Sequence, residues 1–224
     1  MHANLTRSAS SRLTRTLLGC GAAAGPLFVT VFVAEGLQRR DYNAMRQPVS
    51  ALALGPRGFV QTANFVVAGT LFLGGARGLA RHSSGRDRLV NALIGGAGAG
   101  LLAAALFPTD PVSGYPPGTA TAAPSTTTTG TLHNLASLPV FMGVTAAAAL
   151  SALKAIRRAD YAWGAYSAAS AVTALTTNGL AGAGFGQSAR LVNVAGLFQR
   201  VAIIAAFGWV SVVCARALGL PRSR

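Results

Sequence analysis

Thr16-Leu17-Leu18-Gly19-Cys20-Gly21-Ala22-Ala23-Ala24-Gly25-Pro26-Leu27-Phe28-Val29-Thr30-Val31-Phe32-Val33-Ala34 is a run of 19 residues without a charge. A helix rises about 1.5 Å per residue, so about 20 apolar residues cross a hydrocarbon core about 30 Å thick. The run therefore reads as a membrane-crossing helix. The stretches Gly58–Ala76, Leu89–Thr109 and Tyr161–Ala189 are equally free of charge. Six segments meet the length requirement, at 16–37, 59–80, 89–107, 132–153, 161–181 and 193–217. The expected fold is an all-α, polytopic transmembrane bundle of six helices between a basic tail, 1–15, and a short tail, 218–224. Arg200 interrupts the last segment and leaves only Val201–Ala215 continuous, which puts Arg200 near one membrane face. If that helix failed to span, five would remain and the C-terminus would lie outside.

Composition agrees with this reading. The 224 residues are 51% hydrophobic and 11% charged, and the mean hydropathy is +0.46, unusual for a water-soluble globule. A formal charge of +14 would point to nucleic acid if it formed a basic face. Here the arginines sit between apolar runs, where they set orientation, and nucleic acid is not an expected partner. Thirteen Lys and Arg fall on one side: Arg7, Arg12, Arg15, Arg77, Arg81, Arg86, Arg88, Lys154, Arg157, Arg158, Arg216, Arg222 and Arg224. The other side has six, Arg39, Arg40, Arg46, Arg57, Arg190 and Arg200. Both termini are expected to be cytoplasmic. Because Arg7, Arg12 and Arg15 precede Cys20 and the apolar residues continue past it, the N-terminal segment reads as an uncleaved first helix and not as a secretory or lipoprotein signal.

Small residues recur four apart at Gly21 and Gly25, Gly74 and Gly78, and Gly96 and Gly100. In lipid such pairs let helix backbones approach closely, and they are read mainly as packing within the bundle. The longest connection, 108–131, divides into an Asp-Pro and Gly-Tyr-Pro-Pro portion, expected to form turns, and a Thr-rich spacer over 118–130.

Several short stretches resemble one family. Gln47-Pro48-Val49-Ser50-Ala51-Leu52 stands before the second helix, Gly58-Phe59-Val60-Gln61-Thr62-Ala63-Asn64-Phe65 enters it, Phe107-Pro108-Thr109-Asp110 closes the third, and His133-Asn134 opens the fourth. This order resembles the Domain of Unknown Function 998 family of bacterial and archaeal membrane proteins, over about 16–217. The resemblance implies a six-helix bundle and brings no activity. The family more commonly has an acidic residue after the serine, so Ala51 carries no acidic role here.

Polar residues collect toward the expected outer face. Glu35 ends the first helix, Ser50 lies in the first loop, and Gln61 and Asn64 share a face of the second helix. Asp110 and His133 flank the third loop, and Asn193, Gln199 and Arg200 open the sixth helix. Polar side chains in hydrocarbon are costly and face one another or a wet cavity. The expectation is an outer-leaflet pocket in which Gln61, Asn64, Asp110, His133, Arg200 and Glu35 bind a small ligand or lipid. The competing expectation is that they cap helices and pair with one another. Asp110, His133 and Ser50 are the catalytic candidates, since a carboxylate orienting an imidazole can activate a water or a serine. Glu35 and Arg200 form a further candidate pair if the first and sixth helices are neighbours.

Neither a metal nor a cofactor is expected. His133 is the only histidine in an expected span, which excludes bis-histidine haem, and His133, Asp110, Cys20 and Cys214 do not converge as zinc ligands. Gly95–Gly100 lies within a helix with no strand before it, so it cannot cradle phosphate. Three function classes remain: a ligand-binding or transport-type membrane protein, a lipid-facing hydrolase, and a partner-binding scaffold. High Ala and Arg with little Lys suggest a GC-rich bacterial genome, hence a plasma membrane. Oligomeric state is not set by the sequence.

Overall fold

The computed structural model describes residues 2–83, 87–121 and 126–219, with side-chain surroundings defined from Ser11 onward. The chain is 78% helix and has no strands among the described residues. Its six long helices are α1 (His2–Gln38), α2 (Gly58–His82), α3 (Arg88–Leu106), α4 (Thr128–Arg157), α5 (Tyr161–Phe185) and α6 (Ala195–Gly219). A short 3-10 helix, Val49–Ala53, lies in the loop between α1 and α2. The expected tail 1–15 is helical from His2, continuous with the first span. Of the tail 218–224, residues 220–224 lie outside the described residues, as do Arg86 and part of the Thr-rich tract, 122–125.

Each helix packs against the next, and α6 closes back on α1 to complete a ring. Every neighbour in the ring is antiparallel, so the starts of α1, α3 and α5 meet the ends of α2, α4 and α6. Arg15 on α1 accordingly reaches the carbonyl of Leu218 on α6 at 3.5 Å. The centre is aromatic. Phe207 of α6 meets Phe28 of α1 and Phe72 of α2 at ring separations of 5.0 and 4.8 Å. Close crossings on small residues hold α1 to α2. A Cβ on Gly75 would lie 2.7 Å from the Gly21 backbone, a distance only two glycines permit.

Five of the six helices are long and apolar enough to cross a membrane, and α6 with its Arg200 is one of them. The less apolar helix is α5, which carries no charge but is diluted by Ser, Thr and Asn. Three of its hydroxyls are satisfied within the helix: Ser170, Thr176 and Thr177 donate to the carbonyls of Tyr166, Val172 and Thr173 at 2.7–2.9 Å. Such back-bonding leaves less polar surface for lipid to solvate.

Pro139 does not end α4. A π-helical turn over Pro139–Gly143 absorbs the missing amide and the helix continues to Arg157. The start of α4 is set by Thr127, whose Oγ accepts from the Gly130 amide at 3.0 Å. Asp110 in turn accepts from the Thr127 amide at 2.9 Å and its hydroxyl at 2.6 Å. A Cβ at Gly130 would collide with the Asp110 carboxylate, so the glycine lets the preceding loop close on this helix end.

Candidate functional site

The two ends of the ring differ. At one end the loop 39–57 and residues 107–121 fold over the helices and form a cap. Arg39 is its centre. Its side chain, 8% exposed, reaches Glu35 at 3.0 Å, the carbonyls of Leu52, Leu54 and Arg57 at 2.8, 3.0 and 2.9 Å, and the Tyr115 hydroxyl at 2.8 Å. Burial opposes the charge of Arg39, but the bonds to Tyr115 and Glu35 outweigh it and hold the guanidinium above its ordinary pKa. Arg57 is the second partner of Glu35, at 2.5 Å.

Arg200 belongs to the same cap. It donates to the carbonyls of Gln47 and Gly196 at 3.0 and 2.9 Å and to the Tyr42 hydroxyl, and it lies over the rings of Phe32 and Tyr42. The expected Glu35–Arg200 pair is therefore corrected. Although α1 and α6 are neighbours, Glu35 lies one turn before Arg39 and is taken up locally, while Arg200 holds the first loop. Tyr42 packs edge-on against Tyr115 at 5.2 Å, and burial raises its phenol pKa against the opposing charge of Arg200. Gln199 accepts from the Val49 amide at 2.7 Å, Asn193 from Arg46 at 3.1 Å, and Gln47 donates to the Ser113 carbonyl at 3.3 Å. The Gly-Tyr-Pro-Pro portion is thus ordered, with Tyr115 buried in the cap.

Below the cap, Ser50 and His133 line one cavity of about 40 Å³ with Phe28, Phe65, Ser137 and Gln199 among its walls. That is room for a water molecule. Gln61, Asn64, Asp110, Glu35 and Arg200 do not line it. Nδ1 of His133 is 2.8 Å from the Phe107 carbonyl, which requires that nitrogen to carry its proton. Asp110 is turned to Thr127, and no hydrogen bond among the described residues joins Asp110, His133 and Ser50. Asn64 donates to the Phe28 carbonyl at 3.1 Å and to Gln61 at 3.3 Å. The amide nitrogen of Gln61 and the amide oxygen of Asn64 are buried without a partner. Among the described residues no three His, Cys, Asp or Glu side chains are grouped to hold a metal ion.

The opposite end of the ring is open. A cleft of about 620 Å³ is walled by the ends of α2, α4 and α6 and the starts of α3 and α5. Two ion pairs cross its walls: Lys154 on α4 with Asp87 before α3 at 2.8 Å, and Arg216 on α6 with Asp160 before α5 at 2.5 Å. Arg216 also covers the face of Trp163 at 5.2 Å. Trp163 stacks on Trp209 at 6.2 Å, and the Trp209 indole donates to Ser167 at 3.0 Å. Leu79, Val90 and Val213 give the cleft an apolar floor. In the sequence Lys154, Arg158 and Arg216 read only as topology-setting charges, and Trp163 carries no signal of its own. The available signal was Asp87 and Asp160, each standing immediately before a helix and each able to hold a cation from the next helix of the ring.

A closed ring of apolar helices, with one capped and one open polar end, defines a multi-pass membrane protein. The chain belongs to the family described as protein of unknown function (DUF998), which it matches over residues 22–216. No curated protein and no solved structure matches it.

Proposed function

We propose that this is a ligand-binding, multi-pass protein of a bacterial plasma membrane, with both termini cytoplasmic, that receives a small molecule or lipid in the open cleft. The observation that carries this reading is the open cleft of about 620 Å³ among the ends of five helices. A volume in the hundreds of cubic ångströms is what small-ligand sites have, and here charged and polar side chains surround Leu79, Val90, Trp163 and Val213. Crossing by all six helices is supported by the antiparallel ring, in which α5 packs along both α4 and α6. The cytoplasmic assignment of the open end rests on its excess of Lys and Arg.

The polar residues at the other end then serve the cap, which their mutual hydrogen bonds favour. The test is a thermal-stabilisation screen of lipids and metabolites on the reconstituted protein, repeated on Ser151→Phe, which fills the cleft. Compounds that stabilise the wild type and not the variant are expected. No stabilising compound, or stabilisation that Ser151→Phe leaves intact, would refute it. A hydrolase reading is favoured by one observation, the shared cavity of Ser50 and His133. It requires that His133→Gln abolish hydrolysis of a lipid ester while leaving the fold intact.

A further inference from the structure

The charges lining the cleft do not balance. Lys154 and Arg216 are each matched by one carboxylate, Asp87 and Asp160. Arg158, on the same rim, is exposed, and its side chain has no ion-pair or hydrogen-bond partner among the described residues. The Lys, Arg and Asp side chains of the lining therefore carry one uncompensated positive charge. Beyond the lining, Arg12, Arg15, Arg77, Arg81, Arg88 and Arg157 lie at the same end of the ring, where Asp87 and Asp160 are the only carboxylates among the described residues. Anions are drawn to such a focus of one sign.

Depth gives a second constraint. Tyr161, Trp163 and Tyr166 sit in the first turns of α5, and Tyr161 and Tyr166 are exposed. Aromatic rings of this kind mark the headgroup level of a bilayer. The cleft thus combines headgroup depth, an apolar floor and a fork of guanidinium and ammonium donors, the chemistry that holds phosphate oxygens.

Building on the ligand-binding reading above, we propose that the cleft binds a phosphodiester monoanion through Arg158, Lys154 and Arg216, with Trp163 as its aromatic wall. One negative charge matches the lining's single excess cation. Phosphate oxygens can accept from Arg158 outright and share Lys154 and Arg216 with their carboxylates, so the ion pairs need not break. The same chemistry, a phosphodiester with no headgroup cation to cancel its charge, is carried by the headgroup of an anionic phospholipid and by a soluble glycerophosphodiester, whereas the choline cation of phosphatidylcholine would meet the cleft's own Arg and Lys side chains.

The chain contains two tryptophans, both at this end of the ring, so intrinsic fluorescence reads the cleft directly. The wild type is placed in phosphatidylcholine nanodiscs with and without phosphatidylglycerol, and phosphatidylcholine discs are separately titrated with glycerophosphoglycerol. Native mass spectrometry counts retained phospholipid. A spectral change with phosphatidylglycerol, absent in Trp163→Phe and requiring about tenfold more ligand in Arg158→Gln, supports the inference with a lipid source. The same pattern with glycerophosphoglycerol alone supports it with a soluble source. Arg190→Gln, at the capped end, should change neither. No response and no retained anionic lipid, or a response that Arg158→Gln and Lys154→Gln both leave unaltered, overturns it. In that event a neutral compound whose stabilisation is lost in Ser151→Phe would leave the broader ligand-binding reading standing.

Discussion

Removing Arg39 should loosen the cap more than removing any other charge in it. The guanidinium has five N–H groups, and six acceptor contacts on Glu35, Leu52, Leu54, Arg57 and Tyr115 lie within 3.3 Å. Arg39→Met leaves Glu35, 5% exposed at its side chain, with Arg57 alone, and Arg57 is 48% exposed and wet. Three backbone carbonyls and a buried phenol lose their donor as well. Breaking one side of a buried ion pair costs about 3–5 kcal/mol, and that range is expected for Arg39→Met. Arg39→Lys keeps the charge but has three donors on one nitrogen and cannot span acceptors on three segments. Its expected cost is smaller, about 1–2 kcal/mol. The assay is reversible unfolding of the detergent-solubilised protein by SDS, with protease cleavage in 39–57 reporting local opening of the cap. A double-mutant cycle with Glu35→Gln should show coupling, because the second change removes a partner already lost. An Arg39→Met variant within about 0.5 kcal/mol of the wild type, the range of ordinary surface substitutions, would refute the reasoning.

Further outcomes follow from single contacts. Gly75→Ala, whose Cβ would lie 2.7 Å from the Gly21 backbone, should cost about 1–3 kcal/mol in the same titration, whereas Gly96→Ala, with nothing within 4 Å, should cost nothing. Asp110→Ala and Gly130→Ala should each fray the start of α4, seen as faster amide exchange at Thr127 and Gly130, because both break the same cap. The raised phenol pKa of Tyr42 makes a cap contribution that is fully present below the ordinary tyrosine value near 10 and is lost as pH rises through the higher folded value. Titration of tyrosinate absorbance should show a late-ionising component that Tyr42→Phe removes.

The helices were legible because lipid leaves few alternatives: an uncharged run of sufficient length must satisfy its own backbone. The expected 16–37, 59–80 and 89–107 differ from α1, α2 and α3 mainly at the ends, where basic residues extend α1 back to His2 and α2 on to His82. The fourth helix was read as 132–153 and runs Thr128–Arg157. Its start depends on Asp110 across a loop, and its passage through Pro139 depends on a π-turn, neither of which apolar length encodes. The weak point shifted too: Arg200 interrupts an otherwise strongly apolar helix, while the less apolar helix is the uncharged α5.

The polar sites were less legible because their partners are distant in sequence. Arg39 read as a loop charge, yet its role depends on Leu52, Leu54 and on Tyr115, 76 residues away. Arg200 was singled out for its cost in a helix, and that cost is met by Gln47 and Tyr42, about 150 positions earlier. The open cleft is assembled from the ends of five helices, and only the ring order brings Lys154, Arg158, Asp160 and Arg216 around one space.

Six crossings with the cleft toward the cytoplasm are tested most directly by thiol accessibility in intact cells. Single cysteines at Thr119, in the cap loop, and Ala159, beside the cleft, would be placed in a chain whose Cys20 and Cys214 are replaced by Ala. A membrane-impermeant maleimide should label Thr119→Cys in intact cells and Ala159→Cys only after permeabilisation, with a C-terminal tag also protected until then. Labelling of Ala159→Cys in intact cells, or a C-terminal tag exposed while the N-terminus is protected, would contradict it.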